Sequence, residues 1–207
     1  MDTLSLLFGS TLRLKMLRLF LLNPEGIFDI DNLTTKMSVK ARAIETETAF
    51  LKKLGLVKSS KVMKRVEIKK GKKLIAKKVR MSAWTLDERF KYRDALSDFL
   101  TRIHPVEHKA IVKRLERAGR IKAVVVSGIF TGQPESRLDM FVVGDNVKNS
   151  SMDRIVRGIE SDMGKDIRYV VVSGPDYAYR VSMNDKLVRD VIDFPHTILL
   201  DKIGISR

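Results

Sequence analysis

Between residues 57 and 81 the apolar residues change their spacing, and this change constrains the fold more than any other feature of the chain. Before it, Met16, Leu17, Phe20 and Leu21 recur at helical intervals, as do Ile44, Thr48, Leu51 and Leu54. After it the period is two. Val62, Val66 and Ile68 share one parity with Lys64 among them, and Met63, Arg65 and Glu67 take the other. Lys69-Lys70-Gly71-Lys72 supplies a turn, and Lys73 to Met81 a return strand. Helices come first and a hairpin follows.

Three short helices fit ahead of that hairpin. Ser10 is placed to cap the first, which Asn23-Pro24 stops. Asp29 or Asp31 caps the second, with Leu33 and Met37 as its apolar face. Ser38-Val39 makes a tight connection to a third helix from about Ala41 to Leu54, and Gly55 occupies the left-handed position beyond its end.

The charge concentrates on the same region. The 207 residues carry 40 Lys and Arg against 25 Asp and Glu, a net +15. Residues 1–80 hold 19 basic and 7 acidic residues, for +12, whereas residues 81–207 hold only +3. Between 58 and 80 lie 11 basic side chains, including Lys58, Lys77, Lys78 and Arg80, opposed by Glu67 alone. A lysine run is by itself most often a solvated face; on a hairpin beside a helix it points to a polyanion. The chain has no cysteine, which excludes disulfides, thiolate zinc sites and Cys nucleophiles. No apolar stretch approaches the roughly 20 residues that span a bilayer, and no basic segment precedes the first apolar residues, so a cytoplasmic protein without membrane contact is expected.

Three stretches carry a resemblance: Leu7-Phe8-Gly9-Ser10, Arg18-Leu19-Phe20-Leu21-Leu22-Asn23-Pro24, and Leu51-Lys52-Lys53-Leu54-Gly55-Leu56-Val57-Lys58-Ser59. They resemble the winged helix-turn-helix half of prokaryotic transcriptional regulators in which that half is fused to a nucleotidyltransferase-like domain of the polymerase-β type. The chain departs from the family at Ser38, where glycine is usual, and at Lys40, where Ser or Thr caps the helix. Losing that cap costs about 1 kcal/mol and puts a cation at the helix tip. The resemblance implies an α+β protein: a winged helix-turn-helix domain over 1–85, a connector helix over 86–104, and a small α/β nucleotidyltransferase-like domain with a mixed sheet over 105–207.

In the connector, Thr85 and Glu88 read as a capping box opening a helix to about Ile103, with Trp84 packed between hairpin and helix. His104 and His108 have metal-binding spacing, but Pro105 separates them, and no metal is expected there. Beyond a helix over 106–118, strands are expected over 121–127, 138–143 and 167–173, with a helix over 152–163.

The stretch from Ser127 to Asp139 resembles the family's phosphate-holding turn and its pair of spaced carboxylates, which hold two Mg²⁺ with a third carboxylate from a later strand. Here Arg137 replaces the first carboxylate, Asp139 survives, and the third strand is without an acid. Two divalent cations need several anionic oxygens. No catalytic residue, cofactor or metal is therefore expected, and Arg137 is a candidate partner for Asp139. Ser127, Gly128, Gly132 and Asp139 form either a vestigial nucleotide or anion pocket or an ordinary turn.

The leading expectation is a sequence-specific regulator of double-stranded DNA. The third helix would enter the major groove with Lys40, Arg42, Ala43 and Thr46 at its tip, Arg42 reading a guanine edge. Lys61, Lys64, Arg65, Lys69, Lys70, Lys72 and Lys73 on the hairpin would hold phosphates, whereas Glu45 and Glu47 support the helix. The second domain leaves a nucleotide or small-molecule effector and a homodimer open. The alternative is a metal-dependent nucleotidyltransferase tethered to nucleic acid. Non-specific RNA or chromosome binding ranks last, because no aromatic side chains interleave the basic cluster.

Overall fold

The computed structural model describes residues 3–70, 73–102, 106–133 and 135–205; the side chains at 66–70, 73–75 and 77 lie outside the described set. The fold is mixed α+β and divides into two units, Met1–Ile103 and His104–Arg207, each with its own sheet and core.

The first unit runs α1 (Thr3–Leu7), α2 (Thr11–Leu22), β1 (Phe28–Asp29), α3 (Ile30–Met37), α4 (Ala41–Lys53), β2 (Val57–Lys70), β3 (Lys73–Leu86) and α5 (Arg93–Arg102). The helix boundaries follow from local chemistry. The Ser10 hydroxyl accepts from the Arg13 amide at 3.3 Å, and the Asp29 carboxylate accepts from the Asn32 amide at 2.8 Å. Ser38 turns the chain between α3 and α4 in the left-handed region, at φ 55°, and Gly55 ends α4 at φ 81°. Leu14, Phe20, Leu33, Ile44, Leu51, Leu56 and Leu86 are all nearly inaccessible and form one core. Phe20 meets Phe28 edge to face at 5.5 Å between ring centres.

The sheet has the order β1-β3-β2, all antiparallel. β2 and β3 pair without interruption from Val57↔Leu86 to Lys70↔Lys73. Fourteen residues per strand make a ribbon of about 45 Å at ~3.3 Å per residue. Its base is anchored by Val57, Ala83 and Leu86, all buried.

The expected capping box at Thr85 and Glu88 does not form. Thr85 belongs to β3, opposite Lys58, and Asp87 instead accepts from the Arg89 amide at 3.1 Å in the turn that follows. The helix starts only at Arg93, and its Leu96 and Leu100 pack into the first unit's core. Trp84 packs against the same core from β3. His104 and Pro105 lie outside the described residues.

The second unit runs α6 (His108–Leu115), β4 (Arg120–Val126), a short 3₁₀ turn (Gly128–Phe130), β5 (Met140–Asp145), α7 (Asn149–Met163), β6 (Tyr169–Val172), α8 (Gly174–Ser182), α9 (Lys186–Asp193) and β7 (Thr197–Asp201). Its sheet is mixed, in the order β6-β5-β4-β7, with β5 and β6 parallel and the other pairs antiparallel. Both faces are covered, which is why the central strands read as unbroken apolar runs. Val124, Val126, Met140 and Val142 pack with Ile111 and Leu115 of α6 and Val156 and Ile159 of α7. Ala123, Val125, Phe141 and Val143 pack on the other side with Val188 and Val191 of α9.

Candidate nucleic-acid interface

The tip of α4 is built to stand clear of its own unit. Lys40 precedes the helix without a side-chain cap, so the first-turn amides keep their partial positive charge. Lys40, Arg42 and Thr46 are exposed and Ala43 is half-buried. The Thr46 hydroxyl donates to the Arg42 carbonyl at 2.9 Å, leaving its oxygen as an acceptor. The opposite side of α4 is held fast. Ile44, Thr48 and Leu51 are buried, and so is Glu47, which accepts from the Arg13 guanidinium of α2 at 2.5 Å. That guanidinium also lies 3.8 Å over the Phe50 ring and donates to the Phe8 carbonyl. Glu47 is therefore a bolt between α2 and α4, whereas Glu45 is exposed.

The hairpin register sorts the expected cations. Residues directly opposite on antiparallel strands share a face, so Lys61, Met63 and Arg65 stand with Ser82, Arg80 and Lys78. All six are exposed. Lys78 and Arg80 thus join Lys61 and Arg65 on one surface, a grouping that only the cross-strand register reveals. Among the described residues, none of Lys40, Arg42, Lys61, Arg65, Lys78 and Arg80 has a carboxylate oxygen within 4 Å.

Lys64 belongs to the other face. Its ammonium lies 2.9 Å from Asp31 and 3.2 Å from Asp29, and the hydrogen bond to Asp31 above all holds its pKa above the usual lysine value. Lys64 therefore tethers β2 to the start of α3 and is already engaged. The side chains of Lys69, Lys70 and Lys73, and all of Lys72, lie outside the described residues.

The turn after β4 is arranged differently from an open pocket. Asp139 is completely buried. Its carboxylate accepts from the Ile129 amide at 3.0 Å, the Arg168 amide at 2.9 Å, and the Arg168 guanidinium at 2.8 and 3.0 Å. This bidentate pairing raises the Arg168 pKa. Gly128, at φ 57°, gives the carboxylate room, because a Cβ there would overlap Asp139 Oδ1. The Ser127 hydroxyl donates to the Leu138 carbonyl at 2.5 Å and is itself buried. Ser127, Gly128 and Asp139 are thus brought together as one closed tie, whereas Gly132 is exposed and apart. Arg137 does not pair with Asp139; it reaches Asp190 of α9 at 3.4 Å. Arg168, 29 residues further along the chain, takes that place, and no local pattern around it marks the role.

Among the described residues, no three His, Cys, Asp or Glu side chains converge as a metal site, and no helix is long and apolar enough to cross a membrane. Compared with protein families, with curated proteins and with solved structures, the chain has no match.

Proposed function

We propose that the protein is a sequence-specific regulator of transcription that binds double-stranded DNA through a winged helix-turn-helix in its first unit. α3 and α4 are the helix pair, α4 is the recognition helix, and the hairpin is the wing. The observation that carries the reading is the pairing of two exposed basic surfaces, without carboxylate partners among the described residues, at the tip of α4 and along one hairpin face of the same unit. An uncapped helix start with Lys40 and Arg42 suits a phosphate and a guanine edge. Lys61, Arg65, Lys78 and Arg80 suit phosphates, which position the protein and make binding salt-dependent.

In this reading the second unit is a pseudo-nucleotidyltransferase that binds an effector or forms a homodimer, and the protein is cytoplasmic and not an enzyme. What supports it is the engagement of Asp139, whose two oxygens already receive four donors. A nucleotidyltransferase would have to free that carboxylate from Arg168 and recruit further acids.

The deciding experiment is selection of bound duplexes from a random pool by the full-length protein. An enriched motif is expected, and a palindromic one identifies a dimer on two half-sites. Recovery of unenriched duplexes would remove the reading. Transfer of labelled nucleotide in the presence of Mg²⁺, abolished by Asp139→Ala, would establish the enzyme instead.

A further inference from the structure

A helix on a protein surface ordinarily turns its apolar stripe to the core and its charges to water. α8 does the reverse. Its two charged residues, Asp176 and Arg180, are half-buried and paired at 3.0 Å, and Arg180 also reaches Asp185 at 3.5 Å. Tyr177, half-buried beside them, packs against Phe141 of β5. Pro175, Ala178, Tyr179, Val181, Ser182 and the C-cap residue Met183 are exposed, Tyr179 with 63% of its surface free and Met183 with 64%. At 3.6 residues per turn these six share one side of the helix, and none is charged. Monomeric proteins rarely leave such an apolar patch open without a partner for it.

Among the described residues of the second unit, every exposed large apolar side chain lies between Tyr179 and Ile203; α6 and α7, on the other face of the sheet, present none. The charge balance says what fits this side. Residues 174–194 carry three basic and four acidic side chains, for −1, in a chain of +15. A polyanion finds no cationic row here, and a membrane surface asks for Lys and Arg along the helix flank. Two copies of so basic a chain repel wherever cations stand uncompensated. They can approach on a face that is locally balanced and keeps its charges turned inward. We propose that α8 is the homodimer interface, two copies of the helix packing antiparallel about a two-fold axis at Tyr179. Pro175, Tyr179 and Met183 form one row at i, i+4 and i+8. The two-fold therefore sets Tyr179 against its own counterpart and Pro175 against Met183 of the partner subunit. Ala178 and Ser182 beside the row are small enough to let the helices come close. The inference rests on the homodimer in the reading above and names its surface; its test contains no DNA, so dimer and site selection can fail separately.

The experiment is sedimentation equilibrium of the full-length protein without nucleic acid. A reversible equilibrium between the chain and a species of twice its mass is expected. Tyr179→Glu weakens it at least about 30-fold, because two like charges meet at the axis against apolar surface. Tyr179→Lys does the same alone. An equimolar mixture of the Glu and Lys proteins associates to within about tenfold of the parent, since the axis now joins opposite charges. Ser150→Glu, which adds the same charge at an exposed position of α7, leaves association within about twofold of the parent. Tyr179 is exposed, and circular dichroism and melting curves matching the parent verify each fold. A parent protein that stays monomeric, including one whose α8 face takes up anionic-lipid vesicles, would overturn the proposal. So would a Tyr179→Glu protein that dimerises like the parent, or a mixture that fails to recover.

Discussion

Arg65 and Lys78 face each other across the hairpin with no carboxylate oxygen within 4 Å among the described residues, whereas Arg168 grips a fully buried carboxylate with both arms of its guanidinium. The two regions use the same kind of side chain for opposite ends. Like charges placed directly opposite on a ladder repel and weaken the isolated protein, and an external polyanion relieves them. Around Arg168 the counter-charge is internal, so the pair closes a turn and presents nothing to a partner. The comparison teaches that a count of basic residues overstates an interface: the cations that matter are those the fold leaves uncompensated.

Neutralising the open face gives the sharpest test. With Lys61, Arg65, Lys78 and Arg80 all replaced by Gln, duplex affinity falls roughly 10²–10³-fold and the slope of log affinity against log salt shrinks by about 3–4. The same protein melts no lower than the parent, because the repulsion is gone. An unchanged salt slope, measured by fluorescence anisotropy from 50 to 200 mM salt, would break the comparison.

The closed region responds in stability instead. Asp139→Ala strips four donors of their acceptor and lowers unfolding free energy by about 2–4 kcal/mol, with Arg168 half-exposed and able to regain water. Urea denaturation followed by circular dichroism measures it. A neutral result would show that the tie contributes nothing, and the contrast with the hairpin would collapse.

Arg42→Ala is smaller and more selective. It costs about 1–3 kcal/mol of discrimination at one base pair while binding to unrelated duplexes changes little. Competition between the selected motif and its single-base variants reads this directly.

The smallest effect belongs to Lys64, which lies between the two categories. Lys64→Gln lowers stability by about 0.5–1 kcal/mol, given its partial exposure, and leaves the salt slope of DNA binding within about 1 of the parent. Its pKa is raised in the folded protein. The contribution is therefore complete below the unfolded lysine value, near 10.4, and is lost as pH rises above it and the ammonium deprotonates. Thermal melts of parent and variant converge at high pH.

Much of the fold was legible because its signals are local. The caps at Ser10 and Asp29, the left-handed residues Ser38 and Gly55, and the switch to period two each depend on neighbours within a few positions. The capping box at Thr85 failed as a signal because cross-strand pairing with Lys58 claimed that residue for β3; a ladder hydrogen bond outweighed a cap. Glu47 reads as an exposed helix acid until Arg13, 34 residues earlier, is seen to reach it. Arg168 is illegible for the same reason on a larger scale, since its role exists only once β5 and β6 lie side by side. Lys78 and Arg80 stood in plain view as basic residues, but their alignment with Lys61 and Arg65 awaited the register.

The uninterrupted register of the hairpin has a metrical consequence. Side chains on one face of a strand repeat every two residues, about 6.6–6.8 Å, and phosphates along one DNA strand rise about 3.4 Å each. Lys61 and Arg65, four residues apart on one face, are therefore separated by about 13 Å, the axial rise of about four nucleotides. Laid along a duplex, the ribbon would carry its cations in step with every second phosphate, a ruler whose divisions are set by β geometry.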